Sequence, residues 1–137
     1  MPERSHPILL LAALIIAGIA ILHFLALAFS LYWRWPWYDS LMHSLGGAWL
    51  GAISVWFFGF SPYESLRRFA AGRLFLITLV FSITVNVLWE VFEYALGVTF
   101  AVNYWSDTAG DLFFDVVGFL AVFAALGRFF PLPKTSV

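Results

Sequence analysis

Four long apolar stretches dominate the chain, at about residues 8–31, 39–60, 73–98 and 107–130. A membrane-crossing α-helix needs ~20 mostly apolar residues, rising ~1.5 Å each through ~30 Å of hydrocarbon. All four stretches meet that length, so the pattern predicts four transmembrane helices. Pro36, Pro62, Pro131 and Pro133 fall at the ends of these stretches, where proline breaks no helix. Segments 61–72 and 99–106 read as short polar turns. There is no internal repeat, low-complexity tract or composition shift. The expected architecture is all-α, a single polytopic domain over 1–137 built as a four-helix transmembrane bundle.

Composition agrees with that class. The chain is 63% hydrophobic and only 11% charged, which is a membrane composition rather than that of a water-soluble core. It contains no cysteine, so disulfides, thiolate metal sites and a cysteine nucleophile are excluded. A net charge of −1 argues against a nucleic-acid partner. The first stretch has Arg4 before it and Ala26-x-Ala28 near its end, features shared with signal peptides. Its apolar run continues to Leu31, longer than a signal core, so a retained helix is expected.

Basic residues predict orientation. Arg4, Arg67, Arg68, Arg73, Arg128 and Lys134 fall on one side of a four-span arrangement, and Arg34 falls on the other. The excess of Lys and Arg on cytoplasmic segments then puts both termini and segment 61–72 in the cytoplasm. Aromatic residues at 32–38 and 104–105 are expected to form an outer interfacial belt, and Trp56, Phe57, Phe58, Phe60 and Tyr63 an inner one. The expected location is a plasma (inner) membrane, with membrane lipids as neighbours.

The polar positions inside the spans carry the chemistry. Six of the eight acidic residues, Asp39, Glu90, Glu93, Asp107, Asp111 and Asp115, lie in or at the ends of apolar stretches. A carboxylate at bilayer depth costs roughly 2.5–3.5 kcal/mol on insertion scales, so such residues are functional candidates. Their spacing is helical: Asp39-x-x-x-His43, Asn86-x-x-x-Glu90-x-x-Glu93 and Asp107-x-x-x-Asp111-x-x-x-Asp115. Counted along their helices, all fall in the outward half of the bundle, together with His23. Gly47, Gly51, Gly97 and Gly118 continue the polar stripes, and small residues let membrane helices approach closely. Gly47-x-x-x-Gly51 also fits the face of a homodimer; its continuity with Asp39 and His43 favours packing inside the bundle.

Charge balance narrows the reading. One arginine, Arg34, shares the outward half with the six carboxylates. Like charges crowded at low dielectric cannot all remain ionised and unpaired, and bases for a salt-bridge network are absent. Protons or a bound cation must balance them. Carboxylates with imidazole suit a divalent ion such as Mg, Mn, Fe, Zn or Ca, and helix bundles with inward Glu and His hold such ions. The expected ligands are His43, Glu90, Glu93, Asp111 and Asp115. Asp39, Asp107, His23 and Asn86 are expected at the entrance or in support of them. No catalytic group is assigned. A metal-dependent hydrolase or transferase on an envelope lipid or amphiphile is the leading expectation. A cation or proton-coupled transporter, at least dimeric at this size, is the alternative, and a non-catalytic membrane subunit is the third. A glycine-rich phosphate loop, His-Glu-x-x-His and a nucleophile elbow are all missing.

The motif order resembles small bacterial membrane proteins of the YjdF-like and VanZ-like kind. The residues concerned are Tyr38-Asp39-x-x-x-His43 with Gly46 and Gly47, Trp89-Glu90-x-x-Glu93, and Asp107-x-x-x-Asp111-x-x-x-Asp115-x-x-Gly118, over roughly 38–122. Position 93 is Glu where the VanZ-like pattern has Gln. The resemblance implies a bacterial plasma membrane and does not define a reaction.

Overall fold

The computed structural model describes residues 7–97, 103–130 and 132. Arg4, Lys134 and positions 99–102 of the second expected turn lie outside the described residues. Among the described residues there are six helices and no strand: α1 (Pro7–Phe29), α2 (Leu31–Arg34), α3 (Trp37–Gly59), α4 (Glu64–Ala70), α5 (Leu74–Leu96) and α6 (Tyr104–Phe129). Four of them, α1, α3, α5 and α6, are long and apolar enough to cross a membrane.

The helix boundaries differ from the hydrophobic pattern where polar residues are helical. Segment 61–72 is not only a turn, because Glu64–Ala70 forms α4. Glu64 opens α4, and Arg67 and Arg68 close it, each complementing the helix dipole. Arg68 also pairs with Glu64 at 2.7 Å across one exposed turn, and the Arg67 guanidinium donates to the Ser61 carbonyl. α6 begins at Tyr104, one turn before the first acid, because Asn103 is extended and its carbonyl accepts the Asp107 N–H. Ser30 breaks α1 from α2 with a left-handed backbone, φ 57°. Gly97 is left-handed too and caps α5, its N–H reaching the Glu93 and Tyr94 carbonyls. A Cβ there would meet nothing within 4 Å, so Gly97 ends a helix rather than packing one.

α3 is the central helix. It packs most extensively on α6, and α1 and α5 lean against its other sides. α3 and α6 run parallel, with Asp39 and Asp107 in their first turns at one end, here the acidic end. Arg67, Arg68, Arg73 and Arg128 gather at the opposite end, by the connectivity. Glycine sets the α3–α6 spacing. A Cβ on Gly47 would run into the Asp115 backbone carbonyl, and one on Gly118 into the Ser44 carbonyl. A Cβ on Gly51 would reach Val122 Cγ1 at 2.6 Å. The Gly47/Gly51 stripe therefore faces α6.

Two apolar clusters hold α1 to this pair. Towards the arginine end, Ile8 and Ala12 pack with Ala52, Val55, Val122 and Leu126. Towards the acidic end, Ala26 packs with Tyr32 and Tyr38, and the Tyr38 hydroxyl donates to the Leu22 carbonyl at 2.9 Å. Tyr32 and Tyr38 are thus buried core residues and not part of an interfacial belt. Trp33, Trp35, Trp37 and Trp105 remain exposed.

The same substitution is expected to act with opposite sign at two glycines. Gly118→Ala forces two backbones apart and should destabilise by about 1–3 kcal/mol, as overpacking does. Gly18→Ala on α1 meets open space and should stabilise by about 0.5–1 kcal/mol. Thermal unfolding of the two variants in one detergent reads both; equal shifts would contradict the close contact.

Candidate metal centre

The parallel register of α3 and α6 puts two i, i+4 stripes side by side. His43, one turn below Asp39 on α3, ends between Asp111 and Asp115 of α6. Its Nε2 lies 3.7 Å from Asp111 Oδ1 and 4.0 Å from Asp39 Oδ1. Its Nδ1 lies 3.4 Å from Asp115 Oδ2. Asp115 comes this close because its own backbone rests on Gly47. Asp111 and Asp115 are both buried.

α5 supplies the third side. Its buried positions are Leu74, Thr78, Ser82, Asn86 and Glu90, one per turn along a single face. Glu90 is 4% exposed, and the Thr108 hydroxyl of α6 faces its carboxyl group. Tyr104 ties α6 back to α5, its hydroxyl donating to the Glu90 carbonyl at 3.3 Å. A buried carboxylate is costly even with one hydroxyl beside it, because a single neutral hydrogen bond does not replace the water it has lost.

Two sets of side chains can present one ligand atom each to a common ion. They are Asp39, His43 and Asp111, and His43, Glu90 and Glu93; within each set the ligand atoms lie within 4.8 Å of one another. Donors about 2.0–2.4 Å from one ion are at most about 4.8 Å apart, so the spacing fits first-row and alkaline-earth divalent ions. Both sets include His43. Within the described residues, every ion pair recorded for the cluster also involves His43.

The remaining expected residues take distinct places. Asp39, expected at the entrance, joins a possible ligand set. Asp115, expected as a ligand, contacts the other imidazole nitrogen. Asp107 stands outside both sets, in a polar hollow of about 310 Å³ with Ser40, Asn103, Ser106, Gly110 and Asp111. Asn86 is buried one turn below Glu90. His23 does not enter the cluster; its Nδ1 meets the Tyr32 hydroxyl at 2.8 Å. Burial, with Asp39 adding to it, pushes the Tyr32 phenol up to about 12. The phenol therefore stays neutral across ordinary pH and remains a hydrogen-bonding partner for His23.

Three features had no sequence signal strong enough to find them. Tyr32 reads as an interfacial aromatic until α1 folds over it. Thr108 is one hydroxyl in a first turn. Ser82 lies in an apolar stretch, and only its i+4 relation to Thr78 and Asn86 marks it.

No curated protein and no solved structure matches the chain. A family model does, over residues 2–131, under the description Predicted membrane protein (DUF2238). With nearly its whole length matched and four apolar spans in its fold, the chain belongs to that family and is a multi-pass membrane protein.

Proposed function

We propose that this protein is a membrane-embedded metalloprotein that holds a divalent ion at His43. The observation that carries the reading is that Asp39, His43 and Asp111, and likewise His43, Glu90 and Glu93, present ligand atoms within 4.8 Å of one another. A cation is the group such a cluster calls for, because several carboxylates share one imidazole and the Thr108 hydroxyl beside Glu90 carries no charge. In this reading Asp39, Asp111, Glu90 and Glu93 are the carboxylate ligands around His43. Asp115 accepts from His43 Nδ1–H, which leaves Nε2 free to bind metal, the usual support for a metal-binding histidine. An imidazole among carboxylates favours Mn, Fe or Zn over Mg or Ca.

Such an ion supplies Lewis acidity and a water acidified for attack on an ester or phosphoryl group. The chain's own residues hold the site below the polar surface and leave carboxylates to accept a proton. A hydrolase or transferase acting on an envelope lipid or amphiphile is the function this supports best. The YjdF-like and VanZ-like motif order supports a bacterial plasma membrane. The arginine cluster supports placing that end, and both termini, in the cytoplasm.

One observation favours a second reading. The buried face of α5 carries Thr78, Ser82, Asn86 and Glu90, a polar residue at every turn over about 18 Å of helix. A proton relay would need such a line. Thr78 already donates to the Leu74 carbonyl at 2.8 Å, whereas the Ser82 hydroxyl is unpartnered. Proton flux in proteoliposomes that is abolished by Ser82→Val is the outcome this reading requires; unchanged flux removes it.

Elemental analysis of protein purified without chelator should find a stoichiometric divalent ion, lost in Glu90→Gln and Asp111→Asn. Excess ion at 100 times its Kd stabilises the fold by about 2.7 kcal/mol. Chelator should therefore lower the melting temperature of the parent protein and leave Asp111→Asn unmoved. Metal-free protein indifferent to chelator would overturn the reading. A reporter fused after Val137 should be active only in the cytoplasm, and activity on the far side would reverse the orientation.

A further inference from the structure

The cluster is approached by a second route, different in character from the polar hollow at Asp107. α1 and α5 both lean on α3 but share no extensive interface with each other. Between them runs a cleft of about 400 Å³, lined by α1, α3 and α5. That volume lies within the ~300–1,000 Å³ typical of small-molecule sites. Its walls change character along the helices. At the acidic end it presents His23, Asp39, His43 and Glu93. One to two turns further in it presents Ile16, Ile19, Trp49, Leu50 and Val85, with Asn86 a polar side chain at that depth. From His23 to Ile16 is about 10 Å of helix.

This gradient has a direction. Its polar end lies at the level of the first turns of α3 and α6, and its apolar end points towards the middle of the bundle. A lipid in the same half of the bilayer has its head and chain ordered the same way. The neighbouring outward faces, with Leu14 and Leu88 each more than 60% exposed, are built for hydrocarbon. No Lys or Arg lines the cleft. The basic groups among its described lining residues are His23 and His43, set among Asp39, Glu93 and Asp115, so an anionic head needs a metal ion there to offset the carboxylates.

We infer that the α1–α5 cleft admits the hydrocarbon chain of a single-chain amphiphile from the surrounding lipid and delivers its phosphate head to the cluster around His43. The delivery to a metal rests on the metalloprotein reading; the seating of the chain does not. The cluster then has two approaches, a polar one past Asp107 and Asp111 for water and an apolar one between α1 and α5 for the amphiphile. Ala20 of α1 and Val85 of α5 both line the cleft, one from each of the two helices.

The test uses lysophosphatidic acid carrying a diazirine near the chain end, photolysed with the full-length protein in nanodiscs, with crosslinks mapped by mass spectrometry. Label should concentrate at Ile16, Ile19 and Trp49. Ala20→Trp and Val85→Trp, which fill the cleft from opposite walls, should each reduce it about tenfold. Ala13→Trp, on an exposed position outside the cleft, should not. Melting temperature is read on every variant, and two blocking variants guard against one failing to fold. Label confined to outward positions such as Leu14 and Leu88, or unaffected by both blocking variants, would overturn the inference. Metal content is measured on the same samples. Metal bound without cleft labelling removes this inference alone. Cleft labelling on metal-free protein removes the metal reading and leaves the chain site standing.

Discussion

The backbone contact between α3 and α6 is the constraint on which the rest depends. Gly47 lies against the Asp115 carbonyl and Gly118 against the Ser44 carbonyl, each position too close for a side chain. Close approach by small residues is how helices pack where lipid and protein are equally apolar and no hydrophobic force drives them together. Here it does more than pack them. The two helices run parallel, so their contact sets a register, and that register lays Asp39 and His43 beside Asp111 and Asp115.

Electrostatics then makes the assembled site unusual. Buried carboxylates converge on one imidazole, and Glu90 adds another buried carboxylate with only the Thr108 hydroxyl against it. A fold selected for stability alone would replace such groups with apolar ones of similar size, because paired burial rarely repays desolvation. The first turns of α3 and α6 lie at this end, so both helix dipoles present positive ends to the acids and ease part of the burden. The dipoles act on Asp39 and Asp107 most directly. They fade within a turn, so Asp115 and Glu90 depend on His43, a proton or a cation.

The position of the site also follows from packing. α3 is covered by α6 on one side, and α1 and α5 only partly close the other. A four-helix bundle with every neighbouring pair in contact would seal the cluster from lipid. This one leaves a mostly apolar cleft that reaches Asp39, Glu93 and Asp115, and a polar hollow that reaches Asp107 and Asp111. Chemistry on an amphiphile needs that combination, because one substrate comes from water and the other from hydrocarbon.

Spans, helical class and polar stripes could be read from the chain because each is local. A run of twenty apolar residues and an acid every fourth position carry their meaning without knowledge of the partner helix. His43, Glu90, Glu93, Asp111 and Asp115 were marked as a converging set by depth and helical face; in the structure ligand atoms of His43, Glu90 and Glu93 lie close together, as do those of His43, Asp111 and Asp39, while Asp115 is in neither set. Depth could not say which residue faces which. Asp39 and Asp115 are equally plausible partners for His43 by spacing, and the Gly47 contact decides that Asp115 meets Nδ1. His23 shares the depth of the cluster yet turns to Tyr32, because α1 packs on α3 through Ala26. Gly97 shares a stripe with Glu93 yet serves as a cap. The sequence by itself determined how many helices cross and how deep each charge lies, since hydrophobicity and helical period act along one chain. Only the tertiary structure decided which faces meet and which gap stays open, since rotation about each helix axis is set by contacts between residues far apart in the chain.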